Sequence, residues 1–276
     1  MFPSRRRSIA ALVLCLLLPA VLLAGAYAAQ RRTRHALLCG AKTVSLSLQR
    51  GRELYGGRTL TDSADIQAFG ALLEAADVLP AAIHAYPPQP HWYAELQSDE
   101  AATLTARLYE LPDEPGMPLG LCLTFPAHAG DSPRSAFFRI PDPAQQLELL
   151  LHFVSVPAVE RAECSADSPD GRREAVCGEE QAQVLLGAIH LLTDTLRGMP
   201  DYGWDKSRVQ RRYAARFSGP DGQETAYELL LTEPGEQAAL LRRDGEETHL
   251  YLFSGAAVQA RLEFAFEQAL DAGAAP

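Results

Sequence analysis

Residues 212–253 read RYAARFSGPDGQETAYELLLTEPGEQAALLRRDGEETHLYLF, and the architecture follows from their pattern. Four runs, at 212–217, 225–231, 238–243 and 248–253, have the composition and spacing of half-buried strands. The turns between them carry Gly219-Pro220-Asp221-Gly222, Pro234-Gly235 and Asp244-Gly245, the last a two-residue hairpin signal. Consecutive strands on short turns make an antiparallel meander. Before it, residues 179–196 place Leu185, Ile189, Leu192 and Leu196 in helical register, and residues 198–206 form a loop. After it, Ser254 caps a helix whose face is Val258, Leu262, Ala265 and Ala269.

The same order occurs earlier in the chain. Residues 42–48 alternate Val44, Leu46 and Leu48 with Thr43, Ser45 and Ser47, a strand, and residues 51–58 read as a Gly-rich turn. Asp62 or Ser63 then caps a helix with Ile66, Phe69, Leu73 and Ala76 on one face. Strands are expected at 92–97, 103–110, 119–125 and 136–140. Asp142-Pro143-Ala144-Gln145 follows as a cap, a proline in the first helical position and a glutamine completing a capping box. Residues 62–153 and 179–270 therefore read as a degenerate internal repeat. Tyr93-Ala94-Glu95 aligns with Tyr213-Ala214-Ala215, and Phe138 and Ile140 with Leu250 and Leu252. The expected class is α+β: an N-terminal apolar helix, then two helix–four-strand–helix units at 35–156 and 179–271, joined by a linker at 157–178.

With 276 residues, 47% hydrophobic and 22% charged, the composition excludes a disordered tail, a collagen-like fibre and a coiled coil. Six of the 25 Lys and Arg lie in residues 5–34, and no acidic residue precedes Glu53. What remains carries 19 basic against 35 acidic side chains, a balance that repels nucleic acid. Two lysines and no asparagine are the mark of a GC-rich bacterial genome.

Residues 1–8, with Arg5, Arg6 and Arg7, form a basic tail, and residues 9–29 an uncharged apolar run. A basic start and the small-x-small ending Ala26-Tyr27-Ala28 describe a secretory signal peptide. The run also spans about 31 Å as a helix, long enough for an uncleaved anchor. Arg31, Arg32 and Arg34 favour the anchor, because positive charge just past the apolar segment resists translocation. Both readings export the bulk of the chain, to a single-pass cell-membrane location or to secretion after cleavage. Cysteines agree with export: Cys164 and Cys177 flank a polar stretch and are expected as a disulfide, leaving Cys39 and Cys122 as a pair by elimination.

The tandem order of a helix and four strands resembles the architecture of secreted β-lactamase-inhibitory proteins. The apolar segment, opening strand and first helix resemble uncharacterised membrane-anchored extracytoplasmic domains of Gram-positive bacteria. Both likenesses are of element order and imply an exported α+β fold; neither implies an activity.

No nucleophile elbow, zinc-protease helix, phosphate loop or dinucleotide fingerprint occurs, and neither cofactor nor metal is expected. His190 reads as a histidine at the core edge rather than a base. Each helix-to-strand loop carries prolines and large aromatics, Tyr86 and Trp92 in the first unit, Tyr202 and Trp204 in the second. Aromatics on stiffened loops make contact anchors, and Arg208 and Arg211 beside Trp204 suit an acidic group. The expectation is a membrane-tethered, non-catalytic binding module for envelope proteins or an acidic small ligand. The alternatives are an envelope hydrolase built from scattered His and Asp/Glu, or a regulatory subunit.

Overall fold

Val44 and Leu46 are buried while Ser45 and Ser47 are only half-covered, so the period-two run is a strand with one face in a core. The computed structural model describes His35, Leu38 and residues 40–273, except 51–52, 79–91, 99–102, 112–116, 127–131, 170, 195–197, 201–203, 234–235 and 246. The basic tail, the apolar run, Cys39, Tyr86 and Tyr202 lie outside the described residues.

The protein is α+β, with two antiparallel sheets and four helices among the described residues. The first half runs β1 (Thr43–Arg50), β2 (Glu53–Leu60), α1 (Ser63–Glu74), β3 (Asp77–Val78), β4 (Trp92–Gln97), β5 (Thr103–Glu110), β6 (Leu119–Phe125), β7 (Arg134–Ile140) and α2 (Pro143–Leu151). The second runs β8 (Arg161–Ser168), β9 (Gly171–Cys177), α3 (Glu179–Thr193), β10 (Met199–Pro200), β11 (Arg211–Ser218), β12 (Glu224–Leu231), β13 (Ala238–Asp244), β14 (Glu247–Phe253) and α4 (Ala256–Gly273). The sheets are ordered β2-β1-β4-β5-β6-β7-β3 and β9-β8-β11-β12-β13-β14-β10, the same sequence of strands in each half.

Two hairpins were not expected. Residues 157–178 are not a linker, because β8 and β9 pair within them and extend the second sheet at its edge. The period-two signal there is faint: β8 buries only the small Ala162, Cys164 and Ala166, and β9 is largely exposed. The Gly-rich stretch is strand β2, not a turn, with Ser47 opposite Gly57 and Leu48 opposite Tyr55. Gly56 is thus the extra residue of a bulge, which is what a glycine inside a strand often marks. Each unit therefore begins at a hairpin rather than at a helix. The register also shifts the expected alignment by one: Trp92 faces Leu108 as Tyr213 faces Leu229, so Trp92 corresponds to Tyr213. By the same pairing, Phe138 and Ile140 correspond to Tyr251 and Phe253 rather than to Leu250 and Leu252.

Local chemistry ends and starts the elements. Asp62 accepts hydrogen bonds from Ala64 N at 2.8 Å and Asp65 N at 3.3 Å, capping α1. Asp142 caps α2 through Ala144 N, but Gln145 does not close a capping box; its amide donates to Leu72 O of α1 at 2.9 Å. The last helix starts after Gly255, whose carbonyl accepts from Gln259 N, and not after Ser254. Gly245, at φ 59°, supplies the left-handed residue of the β13–β14 turn. Buried glutamines stand in the first turns of α2 and α4: Gln146 donates to Ile140 O at 3.0 Å and Gln259 to Glu236 O at 2.9 Å.

The helices lie between the sheets. Ile66, Phe69 and Leu73 of α1 pack on the first sheet with Leu149 and Leu150 of α2, whereas Leu147 and Leu151 of α2 pack with α3, α4 and the second sheet. Leu191 of α3 touches both cores. Gly187 of α3 lets Leu151 approach; a Cβ there would stand 2.3 Å from its Cδ2. Arg261 of α4 crosses the boundary, bonding Glu110 at the end of β5 and lying over the Trp92 ring at 5.8 Å. Arg261→Ala, which leaves Glu110 without this partner, is expected to cost about 3–5 kcal/mol in denaturant unfolding. The double variant Arg261→Met with Glu110→Met should recover most of that loss; equal loss in both would show that the ion pair is not what the boundary requires.

Candidate functional site

Helices cover one face of the second sheet, so its outward side chains form a surface of their own. Along β8, β11 and β12 these are Glu163, Ser165 and Asp167, then Arg212, Ala214 and Arg216, then Ala226, Glu228 and Leu230. Ala214 faces Ser165 on one side and Glu228 on the other, while Arg216 faces Glu163 and Ala226. Three small residues at the centre and long ones around them leave a trough of about 870 Å³. Its walls are ion pairs. Glu228 holds Arg212 at 3.1 Å and Arg243 at 3.0 Å, and Arg172 binds Glu174 at 2.7 Å. Arg216 is exposed and makes no ion pair among the described residues.

Trp204 borders this surface. It is half-buried, and with Val209 it folds over Leu230, Ala239, Leu241 and Leu250, the apolar part of the same outer face. A single 3₁₀ turn, Lys206–Arg208, capped by Asp205 through Ser207 N at 2.9 Å, carries the chain between them. The neighbouring arginines are engaged within the protein: Arg208 with Glu236 at 3.7 Å, Arg211 with Glu263 of α4, and Arg212 with Glu228. Arg211 belongs to the opposite, helical side, where Glu267 of α4 also accepts from Tyr213 at 2.8 Å. Burial and that hydrogen bond push the Tyr213 phenol up to about 12.

The two loop aromatics among the described residues, Trp92 and Trp204, do not form one exposed cluster. Trp92 is 5% exposed and packs in the first core, because it opens β4 on the inward face. The expectation that it presents its ring to solvent is therefore corrected. No group of three or more His, Cys, Asp or Glu with metal-ligand geometry occurs among the described residues.

Cys164 and Cys177 stand on the inward faces of β8 and β9 as free, buried thiols. Cys164 faces Ala175 and Cys177 faces Ala162, so the two are diagonal neighbours on one face. They occupy the positions of Leu46 and Leu60 in the first unit. Their sulfurs are hydrogen-bonded, which raises the Cys164 thiol and lowers that of Cys177 to about 7.

Comparison of the chain with protein families, curated proteins and solved structures returns no match in any of the three. The trough itself follows from small residues at outward positions of central strands, Ala214 and Ala226, a signal present in the sequence but overshadowed by the aromatics. Trp92→Ala is expected to cost about 3–5 kcal/mol of stability, as for a buried aromatic. Trp204→Ala should cost roughly half as much, since only part of its area is withdrawn from water. Thermal and denaturant unfolding measure both, and equal losses would contradict this placement.

Proposed function

We propose that the protein is a membrane-tethered extracytoplasmic binding module without catalysis, meeting an envelope partner through the outer trough of its second sheet. The observation that carries this reading is the trough: about 870 Å³ of open concavity with a floor of Ser165, Ala214 and Ala226. Its paired walls are already organised, so docking orders few long side chains. Arg216, without an ion-pair partner among the described residues, attracts an acidic group on the partner. The apolar run at residues 9–29 holds the module at the membrane, and its two units descend from one duplicated unit. The common strand order and the matched Gln146 and Gln259 support that descent.

A photoreactive residue in place of Ala214 in the full-length protein, in intact envelopes, should give a discrete adduct that Arg216→Glu abolishes. The same residue at Thr105, on the outer face of β5, should give none. Equal labelling at both positions, or none at Ala214, would contradict the assignment. The exported location carries its own expectation. In an oxidising compartment Cys164 and Cys177 close a disulfide across β8 and β9, worth about 3 kcal/mol in the loop-entropy account. Mass spectrometry of thiol-blocked, non-reduced protein should find it, whereas alkylation of both cysteines without reduction would contradict it.

A further inference from the structure

A second concavity, of about 290 Å³, lies on the opposite side of the second sheet, where α3 ends short of the strands. The segment joining the two units (Pro157, Val159) and the β11–β12 turn (Pro220, Asp221) close it, with Leu186 and Phe217 as apolar walls. Its polar lining includes His190 of α3, Tyr227 of β12 and Arg242 of β13, with Asp221, Gln223 and Thr225 nearer the turn.

The first unit serves as an internal control. In its sheet the corresponding register pairs are Leu96 with Leu104 and Ala106 with Leu123, all 1% exposed or less. In the second sheet they are Phe217 with Thr225 and Tyr227 with Arg242. Of these four positions, all closed hydrocarbon core in one unit, three are polar in the other, and all four line the cavity there. Tyr227 is 3% exposed, its ring packs edge-on against Phe217, and its hydroxyl has no hydrogen-bond partner among the described residues. That hydroxyl is not sealed from solvent but opens on the cavity, where it is free to donate to a ligand that accepts its proton.

Arg242 is held in place by Asp244, 2.7 Å from its Nε, and by a hydrogen bond with Tyr251. Its guanidinium has five donors in a fixed fork, so further N–H groups remain for an acceptor. Burial keeps the His190 imidazole low, hence neutral near pH 7, and Asp194 stands 3.8 Å from its Nδ1. With Asp194 beside His190 and Asp221 in the wall, a second negative charge on a ligand is opposed.

We propose that this cavity binds a small monocarboxylate with an apolar body, the carboxylate accepting from the Tyr227 hydroxyl and the Arg242 guanidinium while the body rests on Leu186, Val159 and Phe217. The site is independent of the outer trough and stands or falls separately from it. Its size, at the lower end of ordinary ligand pockets, restricts it to small molecules. Isothermal titration of the full-length chain with benzoate, benzyl alcohol and benzylamine tests it. Saturable binding is expected for benzoate, at least tenfold tighter than for the alcohol, and none for the amine. Tyr227→Phe should weaken benzoate at least tenfold without lowering the melting temperature of the ligand-free protein, because the removed hydroxyl has no hydrogen-bond partner among the described residues. Arg242→Leu, the residue of the first unit, should abolish benzoate binding. Failure of benzoate to saturate, equal binding of alcohol and acid, or unchanged benzoate affinity in Tyr227→Phe would each overturn the proposal.

Discussion

Everything in the architecture depends on the helical layers being buried on both sides. A sheet with one apolar face needs a cover, and here each cover is two helices thick in sequence but one layer deep in space. Helix α2 shows the constraint most plainly. Leu149 and Leu150 face the first sheet while Leu147 and Leu151 face the second unit, so within nine residues the helix serves two cores. Separating the halves would expose Leu147, Leu151 and Leu191 together. It would also strip Arg261 from both Glu110 and the Trp92 ring. A guanidinium 9% exposed is tolerable only while those groups surround it.

With the helices committed to the interior, the outer sheet faces are left to solvent, and the two differ. The first carries hydroxyls such as Thr105, Thr124 and Ser135, with Thr124 and Ser135 bonded at 3.0 Å. The second carries ion pairs around an alanine floor, partly roofed by Trp204. The inward faces differ as well: Ala106 and Leu123 of one sheet correspond to Tyr227 and Arg242 of the other. One strand order thus supports a closed unit and an open one, and the polar replacements are confined to the latter.

Much of this was readable from the residues. Alternation placed β1 and the eight meander strands, Asp62 and Asp142 marked helix starts, and Asp244-Gly245 marked its turn because glycine reaches φ 59° without steric cost. The hairpin β8–β9 escaped because its inward residues are small and its outward ones charged, leaving no hydrophobic period. Strand β2 escaped because its glycines argue for a turn until a bulge accounts for them. For the candidate sites the sequence was a poorer guide. Trp92 and Trp204 looked alike in their loops, yet one begins a strand on its inward face and the other lies over an outward one. Arg208 and Arg211 both looked suited to an acidic group beside Trp204, but Arg208 is engaged by Glu236 and strand alternation sends Arg211 to Glu263 of α4. Tyr227 and Arg242 meet as register partners of consecutive strands, but His190 reaches them from α3, and no local pattern encodes that approach.

The two tryptophans, one in each unit, allow the central claim to be measured directly. In Trp204→Phe the fluorescence reports Trp92 in the first core, and in Trp92→Phe it reports Trp204 on the second sheet. If the units are bound into one body by their shared helical layer, guanidinium unfolding of both variants will parallel far-ultraviolet circular dichroism in a single transition, as cooperative unfolding requires. Two separated midpoints within either variant, with the tryptophan of one unit released while half the secondary structure persists, would contradict it.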